Sequence, residues 1–393
     1  ALAKLAQEVM ARLPQATIAG LTGSAGKTST KDLTAQLVER LGPTISPEGS
    51  YNNEFGFPLT VLRADEQTRF MVLELAARGP GHIAFLCEIA PPRVGAVLNV
   101  GHAHTGEFGG IEPVARAKGE LPGALPAAAA GGVAILNADD HRVRAMAART
   151  EARVVTFGLA DGPGTDALGR RPDFTAAEVC LDDLGRPSFT LLTPAGSAPV
   201  RMGLHGAHQV PNALAAAAIA AELGLDVGGI ADGLSTATAR SRWRMEVHQT
   251  PGGVTVINDA YNANPESVRA ALDALQHMAR GRRAFAVLGH MAELGEESRA
   301  SHEEVGALAA GTGVAGLIVV GTEAEPILAG ARAHRGWHGE AIGVPDGAGA
   351  VAALRDRLDA GDVVLVKASR AAALERVAAE LLAQHEPMKE TAQ

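Results

Sequence analysis

The run Gly23-Ser24-Ala25-Gly26-Lys27-Thr28 constrains the fold of this chain more than any other part of its sequence. It directly follows the apolar run Thr17 to Thr22, which predicts a strand, and it opens a helical pattern from Lys27 to Leu41. Glycines let backbone N–H groups face phosphate oxygens, a lysine neutralises the β- and γ-phosphates, and a threonine hydroxyl can ligate Mg²⁺. The sequence therefore predicts a loop that binds the phosphates of ATP.

The spacing of this loop is the short form TGxxGKT, because Leu21 stands where the common GxxxxGK[ST] form has its first glycine. A second glycine pattern, Gly311-Thr-Gly-Val-Ala-Gly316, fits the GxGxxG dinucleotide fingerprint. It lies before a predicted strand instead of after one, so it fails the structural requirement of that fingerprint. We interpret it as a turn from a helix to a strand.

Strand-like and helical patterns alternate along most of the chain, which predicts parallel α/β sheets. Further strands of a first unit are expected at Phe70 to Leu75, Val94 to Val100, Gly132 to Leu136 and Val154 to Phe157, with a helix at Ile111 to Leu125. Two extended runs between Asp173 and Thr193 predict a hairpin. The alanine-rich helix Gln209 to Leu223 is expected to close this unit.

A second α/β unit is predicted to begin near Arg242. Its strands are expected at Val254 to Asn258, Ala284 to Leu288, Gly316 to Val320 and Val363 to Lys367, with helices between them. The predicted fold class is thus α/β: a P-loop ATP-binding domain with a mostly parallel sheet over residues 1–240, followed by a Rossmann-like α/β domain over residues 241–393.

Composition excludes several classes of protein. Of the 393 residues, 47% are hydrophobic and 20% are charged, and every apolar run is shorter than the roughly 18 residues of a membrane span. Two cysteines, Cys87 and Cys180, provide neither a disulfide framework nor metal-site spacing, which favours the cytoplasm. A net charge of −9 without a basic cluster argues against nucleic acid as a partner.

Several polar residues follow predicted strands downstream of the loop. Glu74 ends one strand, and His102 and His104 come after another. Ligands of open α/β sheets gather at the carboxyl ends of strands, so these groups are candidates for a Mg²⁺ site or for orienting phosphates. A surface position is the alternative for each of them, and Lys118, on a predicted helix, would by itself be read as a solvated lysine.

Further segments, in order along the chain, resemble the motifs of the Mur ligases of peptidoglycan synthesis. They are Thr22-Gly-Ser-Ala-Gly-Lys-Thr-Ser-Thr30, Tyr51-Asn-Asn-Glu-Phe-Gly-Phe-Pro-Leu-Thr60, Asn99-Val-Gly-His-Ala-His104, Ala117-Lys-Gly-Glu120, His208-Gln-Val-Pro-Asn212 and Arg244-Met-Glu246. Asn258-Asp-Ala-Tyr-Asn-Ala-Asn-Pro265 and Leu288-Gly-His-Met-Ala-Glu-Leu-Gly295 are similar to the branch that joins D-alanyl-D-alanine to UDP-N-acetylmuramoyl-tripeptide.

The resemblance implies an ATP- and Mg²⁺-dependent ligase that forms an acyl phosphate on the tripeptide carboxylate. The loop residues Gly23 to Thr28, with Ser29, would hold the ATP phosphates, and Lys27 would be catalytic. Thr28, Glu74 and His104 would contribute to the metal site, whereas His102 is expected to be an ordinary surface residue. Lys118 matches a lysine that Mur ligases can carry as a carbamate, a catalytic group that faces Mg²⁺.

The resemblance also implies nucleotide and substrate contacts. Asn212 would lie near the adenine, Arg244 on the phosphates and Asp259 on the ribose. The substrate-side and dipeptide-side residues would be Tyr51, Asn52, Asn53, Asn262, Asn264, Ser298, His302 and Arg370. Helix capping is the rival role for Asn264 and Ser298.

The sequence departs from the family in three residues and one domain. His290 stands where the motif is usually acidic, and Ala76 and Ala368 replace glycines, which leaves the backbone shape at both alanines open because alanine disfavours positive φ. Mur ligases also carry an N-terminal domain that grips the UDP portion of the substrate. Because the phosphate loop begins so close to Ala1, this chain is expected to lack that domain.

Three alternatives stay open from the sequence. The chain could be another amide ligase of the superfamily, such as a folylpolyglutamate synthase, although Tyr261 argues for the D-alanyl-D-alanine branch. A metal-dependent hydrolase is suggested by His102, His104 and Lys118, but it gives the phosphate loop no purpose. A catalytically silent nucleotide-binding protein is the third. The favoured interpretation is a monomeric cytoplasmic ligase whose partners are its small-molecule substrates.

Overall fold

The computed structural model of the protein describes residues 1–49, 51–77, 79–101, 108–159, 162 and 171–383. The chain divides into two compact units. Unit 1 comprises Ala1–Asp182, Arg186–Leu204 and His208–Ser241, and unit 2 comprises Asp183–Gly185, His205–Ala207 and the chain from Arg242 onwards.

The described part of unit 1 contains a nine-stranded sheet. Its strands are β1 (Thr17–Thr22), β2 (Thr44–Ile45), β3 (Phe70–Glu74), β4 (Val94–Val97), β5 (Val133–Asn137), β6 (Arg153–Leu159), β7 (Phe174–Leu181), β8 (Pro187–Thr193) and β9 (Gly196–Arg201). In space their order is β2-β3-β1-β4-β5-β6-β7-β8-β9, parallel as far as β7 and antiparallel beyond it. The predicted mostly parallel sheet is therefore present.

Both faces of this sheet are covered by helices, which explains the nearly continuous apolar runs of its central strands. Ala19 and Leu21 of β1 belong to one buried cluster, with residues of the helices Lys27–Val38 and Gln209–Glu222. Ile18, on the opposite face of the same strand, belongs to a second cluster. With β1 buried on both faces, the loop that follows it has a rigid base.

The alanine-rich helix Gln209–Glu222 is buried almost all round. The eight residues from Ala213 to Ala220 have no exposed surface, and the helix contacts both the strands of the sheet and the helix Lys27–Val38. Small alanine side chains allow such close contact between helices, because the distance between helix axes depends on the side chains at the contact. The low side-chain volume here fits a helix that lies between two neighbours.

Unit 2 contains a six-stranded sheet within its described residues. Its strands are β10 (Glu246–Gln249), β11 (Thr255–Asn258), β12 (Ala284–Gly289), β13 (Gly316–Val320), β14 (Glu340–Val344) and β15 (Val363–Lys367). Their order is β10-β11-β15-β12-β13-β14, with β10 antiparallel and the others parallel. Helices cover both faces, which is the doubly wound, Rossmann-like architecture that the sequence predicts.

The helices surround these sheets. In unit 1 they span Leu2–Ala11, Lys27–Val38, Gly56–Val61, His82–Ile89, Ile111–Lys118, Glu120–Gly123, His141–Ala145, Gln209–Glu222 and Val227–Thr236. In unit 2 they span Pro265–Ala279, Ser298–Gly311, Pro326–Ala333, Gly347–Arg355 and Glu375–Ala383. None of the described helices combines the length and apolar character that crossing a bilayer demands.

The structure corrects several sequence predictions in detail. The predicted helix Ile111 to Leu125 is two helices that meet at Gly119, and the helix Val227–Thr236 follows the one expected to close the first unit. The sequence did not predict strands β2, β9, β10 and β14. All four are edge strands, and their partly exposed residues give a weak apolar signal. The stretch between Gly311 and Gly316 does join a helix to a strand, as expected.

Candidate active site

The predicted phosphate loop joins the carboxyl end of β1 to the helix Lys27–Val38. Gly26, at the start of this helix, has φ +79°, a left-handed conformation that glycine adopts without strain. A Cβ atom at Gly26 would lie 2.4 Å from Oδ1 of Asn212. Both the backbone angle and the space around it therefore require glycine at this position.

Asn99, which follows β4, braces the loop from the neighbouring strand. Its Oδ1 accepts hydrogen bonds from the backbone N–H groups of Ser24 (2.9 Å) and Ala25 (2.8 Å), and its Nδ2 donates to the carbonyl of Ala25 (3.1 Å). The Ser24 hydroxyl also exchanges hydrogen bonds with the backbone of Gly101. The loop is thus preorganised by side chains, although sequence reasoning did not single out Asn99. A polar residue just after the strand next to β1 was the signal that could have found it.

Two side chains of the loop, those of Lys27 and Thr28, make defined hydrogen bonds. The Lys27 ammonium donates to the carbonyl of Gly23 at 2.7 Å, so it folds back over the loop. The Thr28 hydroxyl donates to Oε2 of Glu74 at 3.1 Å, at the carboxyl end of β3. The other oxygen of Glu74 accepts a hydrogen bond from Nδ2 of Asn52 at 2.6 Å. A carboxylate, a hydroxyl and an amide therefore meet beside the phosphate loop.

Lys118 is buried at the end of the helix Ile111–Lys118, with 3% of its surface exposed. Burial lowers the pKa of its ammonium well below the ordinary lysine value, and the positive charge of Lys27 lowers it further. Lys118 is therefore not a solvated surface lysine. Because the charge of Lys27 affects its pKa, the Lys118 amine lies near the phosphate loop.

The surroundings of Lys118 differ from those of the other buried lysines, Lys31 and Lys367. Lys31 is paired with Asp32 at 2.5 Å and Lys367 with Asp259 at 2.5 Å. For Lys118, by contrast, no anion is among the causes that shift its pKa, and its described electrostatic neighbour is the cation Lys27. A buried ammonium without compensation is costly, and the usual response is loss of its proton. Burial therefore favours loss of the Lys118 proton.

Other predicted residues of unit 1 have structural roles. Oδ1 of Asn212 accepts from the Thr30 hydroxyl at 3.3 Å and its Nδ2 donates to Gln209 at 3.1 Å, so the side chain supports the loop from below. Oδ1 of Asn53 accepts from the N–H of Gly56 at 2.9 Å and thereby starts the helix Gly56–Val61. Tyr51 is exposed. The contact of Asn212 with adenine stays a prediction, and Ser29 lies half-buried in the first helical turn.

In unit 2, Arg244 and Asp259 lie close to one another. The Arg244 guanidinium lies 4.2 Å above the ring of Tyr261, and Oδ1 of Asp259 accepts the N–H of Met245 at 3.1 Å. Oδ2 of Asp259 accepts from the Lys367 ammonium at 2.5 Å. The two predicted nucleotide residues of this unit therefore belong to one bonded cluster.

The predicted dipeptide residues of unit 2 divide into exposed and structural ones. Asn262 and Arg370 are exposed, and the Arg370 guanidinium lies 4.5 Å above the ring of Trp243. Asn264 caps the helix Pro265–Ala279 in a capping box with Ser267, as its alternative role predicts, and its contact with the dipeptide stays a prediction. Ser298, at the start of its helix, is half-buried.

His302, which is predicted to face the dipeptide, does not face solvent in this structure. Its ring is fully buried, Nε2 accepts the N–H of Met291 at 2.9 Å, and Nδ1 donates to the carbonyl of Ser298 at 2.6 Å. Burial lowers its pKa, which favours the neutral ring that these two bonds require. His302 therefore fixes the loop after β12, and its contact with the dipeptide stays a prediction.

The three departures from the family pattern are accommodated. Ala76 and Ala368 are absent from the residues with positive φ, so neither alanine is strained. His290 stacks on His302 with ring centroids 5.1 Å apart.

His102 and His104 lie outside the described residues. Within the described ranges, no cluster of three or more His, Cys, Asp or Glu side chains suits a metal. The Thr28 hydroxyl and the Glu74 carboxylate are two oxygen donors that meet beside the loop.

The fold and the loop together define a P-loop nucleotide-binding protein built of two α/β units. Comparison with protein families agrees with this division. The model of the Mur ligase middle domain matches residues 21–220, and that of the Mur ligase glutamate ligase domain matches residues 243–370.

Comparison with individual proteins is more specific. The UDP-N-acetylmuramoyl-tripeptide--D-alanyl-D-alanine ligase of Mycobacterium tuberculosis is 50% identical over 402 residues, which cover 98% of this chain and 76% of that protein. The enzyme of the same name from Escherichia coli is 35% identical over 96% of this chain and 79% of its own length. Among solved structures, MurF from Acinetobacter baumannii has a TM-score of 0.85 and 30% identity, covering 98% of this chain and 80% of that one. MurF from Thermotoga maritima, solved in complex with ADP, has a TM-score of 0.81 and 31% identity over 96% and 81%.

The chain therefore belongs to the Mur ligase family, and within it to the MurF group.

Proposed function

We propose that the chain joins D-alanyl-D-alanine to UDP-N-acetylmuramoyl-tripeptide in an ATP-dependent ligation of peptidoglycan precursor synthesis. The observation that carries this proposal is the phosphate loop bonded to Glu74, in a chain that is 50% identical to a ligase of that name over 98% of its length. ATP and UDP-linked precursors are made inside cells, so the cytoplasm is the compartment that fits the reaction.

ATP is the nucleotide that the site supports best. The related Thermotoga maritima protein was solved with ADP, and its fold matches this chain with a TM-score of 0.81. In unit 1 the Lys27 ammonium and the N-terminus of the helix Lys27–Val38 supply the positive potential that phosphates need. In unit 2, Arg244 and Asp259 are proposed to contact the phosphates and the ribose.

Mg²⁺ fits the oxygen donors at this site. The Thr28 hydroxyl and the Glu74 carboxylate are hard ligands of the kind that Mg²⁺ prefers, and their oxygens lie 3.1 Å apart. His104 and a modified Lys118 are proposed to complete the set. When bound, the metal would neutralise charge on the phosphate oxygens.

Carbamylation of Lys118 is the modification that its surroundings favour. Formation of a carbamate adds the amine nitrogen to the carbon of CO₂ and releases a proton, which converts the buried amine into an anion. The lowered pKa favours the neutral amine, which is the form that reacts with CO₂. Burial also makes an anion paired with a metal a better state than an isolated ammonium.

The ligation proceeds in two steps. A carboxylate oxygen of the tripeptide forms a bond to the γ-phosphorus of ATP, and the bond from that phosphorus to the bridging oxygen breaks to leave ADP. The amine of D-alanyl-D-alanine then bonds to the acyl carbon, phosphate leaves, and the nitrogen gives up a proton. Lys27 and the loop N–H groups stabilise the charge on the transferring phosphoryl group.

An omission experiment tests this function. The purified chain is given ATP, Mg²⁺, UDP-N-acetylmuramoyl-tripeptide and D-alanyl-D-alanine, and phosphate release is compared with samples that lack one component. We expect amide and phosphate in equal amounts only in the complete mixture, and no turnover in the Lys27→Ala variant. Phosphate release without the peptide substrates, or turnover by that variant, would argue for a different enzyme.

A further inference from the structure

Lys367 ends β15 and is buried in unit 2, with 2% of its side chain exposed. Its ammonium donates to Oδ2 of Asp259 at 2.5 Å and to the carbonyl of Asn262 at 2.9 Å. Both acceptors belong to the segment that follows β11, the strand paired with β15. One side chain on a rigid strand thus bonds to two points of the neighbouring loop.

Asp259 connects Lys367 to a second segment, Trp243 to Met245. Its Oδ1 accepts the N–H of Met245, while the N–H of Tyr261 donates to the carbonyl of Trp243 at 3.2 Å. Trp243 and Met245 have φ of +59° and +52°, a conformation that costs free energy in residues other than glycine and persists only where the surroundings enforce it. Arg244 lies between them.

We propose that Lys367 is a positioning residue, which holds Arg244 and Asp259 in place for the nucleotide through one buried ion pair. This inference rests on the proposed function, because that function assigns the two residues to ATP. Without Lys367, the buried carboxylate of Asp259 would lose the cation with which it is paired. The side chain would then rotate towards solvent or take up a proton. The N–H of Met245 would then lose its acceptor, and the segment that carries Arg244 would lose an anchor.

Ser369 supplies a matched control on the same segment of the chain. Its hydroxyl accepts the N–H of Ala292 at 2.9 Å, and its own N–H donates to the carbonyl of His290 at 3.0 Å. Two residues beyond Lys367, it therefore holds the loop after β12 instead of the segments that contain Arg244 and Asp259.

The test compares Lys367→Met and Ser369→Ala in the full chain. ADP affinity is measured by titration calorimetry, and KM is measured for ATP and for D-alanyl-D-alanine. We expect the Met variant to bind ADP at least about tenfold more weakly and to raise KM for ATP alike. The change in KM for the dipeptide should be smaller, because Lys367 contacts the predicted dipeptide residue Asn262 through one backbone bond only. The Ser369→Ala variant should keep the wild-type affinity for ADP.

A double-mutant cycle separates positioning from general loss of stability. Because Lys367 acts through Asp259, the variant Asp259→Asn/Lys367→Met should bind ADP no more weakly than Asp259→Asn alone. Additive losses, or wild-type ADP affinity in a folded Lys367→Met variant, would overturn the inference. If that variant does not fold, Lys367→Gln, which keeps a donor but no charge, decides by the same affinities. Failure of the wild-type chain to bind ADP would instead contradict the proposed function.

Discussion

Glu74 accepts a hydrogen bond from the Thr28 hydroxyl at 3.1 Å, which joins the end of β3 to the first turn of the phosphate-loop helix. The two residues are far apart in the sequence, and the parallel pairing of β1 with β3 brings them together. The same carboxylate accepts from Asn52, so it connects the phosphate loop to a segment on the proposed substrate side. This relationship gives the candidate active site its first test.

Replacing Glu74 by Gln should remove the charge while keeping an oxygen that can accept from Thr28. We expect kcat to fall on the order of 10²-fold, with a higher Mg²⁺ requirement, because an anionic metal ligand is lost. Activity is measured over a Mg²⁺ titration. Asn52→Ala serves as the control, since it removes the other hydrogen bond of Glu74 without changing charge. A Glu74→Gln enzyme with the wild-type Mg²⁺ dependence would exclude this carboxylate from the metal site.

The phosphate loop should not tolerate a side chain at Gly26. Alanine there would adopt φ near +79° and place its Cβ 2.4 Å from Oδ1 of Asn212. We expect a loss of about 1–2 kcal/mol in the free energy of unfolding from the backbone, and a further loss of ADP affinity from displacement of the loop. Gly131→Ala is the matched control, because Gly131 has φ +82° with open space around it. Equal ADP affinities of the two variants would contradict the account of the loop.

The lowered pKa of Lys118 predicts how stability depends on pH. The unfolded chain keeps the Lys118 proton up to its ordinary pKa of 10.5, whereas the folded chain releases it at lower pH. At a pH between the lowered pKa of the folded chain and the ordinary pKa of the unfolded chain, unfolding therefore takes up a proton. The free energy of unfolding should rise with pH in that window. In CO₂-free buffer, urea titrations should show a steeper rise for wild type than for Lys118→Met. Parallel pH profiles would indicate that Lys118 keeps an ordinary pKa in the fold.

Carbamylation of Lys118 has a direct spectroscopic test. With ¹³C-bicarbonate, wild type should show a carbamate resonance in its ¹³C NMR spectrum and increased activity, because a neutral buried amine is the reactive form. Lys31→Met is a suitable comparison, since Lys31 is equally buried but paired with Asp32. The resonance should persist in that variant and vanish in Lys118→Met. A signal that survives loss of Lys118 would place the carbamate elsewhere.

The two cysteines should differ sharply in reactivity. Burial raises the pKa of Cys87 to about 12, with the charge of Glu120 as the next cause, whereas Cys180 is exposed. Because the thiolate is the nucleophile, iodoacetamide at about pH 8 should modify Cys180 alone in the native chain. Mass spectrometry measures this, and a Cys180→Ser variant should stay unmodified until it is denatured. Rapid labelling of Cys87 in the native chain would mean that the second buried cluster of unit 1, to which Cys87 belongs, opens to solvent.

The sequence predicted those parts of the molecule whose cause is local. The alternation of apolar strands and helices gave both sheets, and the glycine spacing located the loop at Gly23. Edge strands such as β14 escaped prediction because half of their residues are exposed and polar or small. The burial of Lys31, Lys118 and Lys367 could not be predicted, because lysine is normally solvated and only the packing of distant elements removes the water.

The site residues show the same division. Thr28 and Glu74 could be predicted because they stand at a strand end and a helix start, where parallel sheets collect ligands. The brace by Asn99 and the ion pair of Lys367 with Asp259 depend on which strands are neighbours, and the sequence does not state that order directly. The burial of His302 could not be predicted, because a motif position does not reveal that both ring nitrogens are bonded within the protein.

Transfer of oxygen from the tripeptide to phosphate tests the central claim most directly. UDP-N-acetylmuramoyl-tripeptide labelled with ¹⁸O in its terminal carboxylate is incubated with the chain, ATP, Mg²⁺ and D-alanyl-D-alanine, and the released phosphate is analysed by mass spectrometry. An acyl-phosphate mechanism predicts one ¹⁸O atom in each phosphate, because the carboxylate oxygen that attacks the γ-phosphorus leaves with it. Amide product accompanied by unlabelled phosphate, or labelled substrate recovered without any product, would contradict the account.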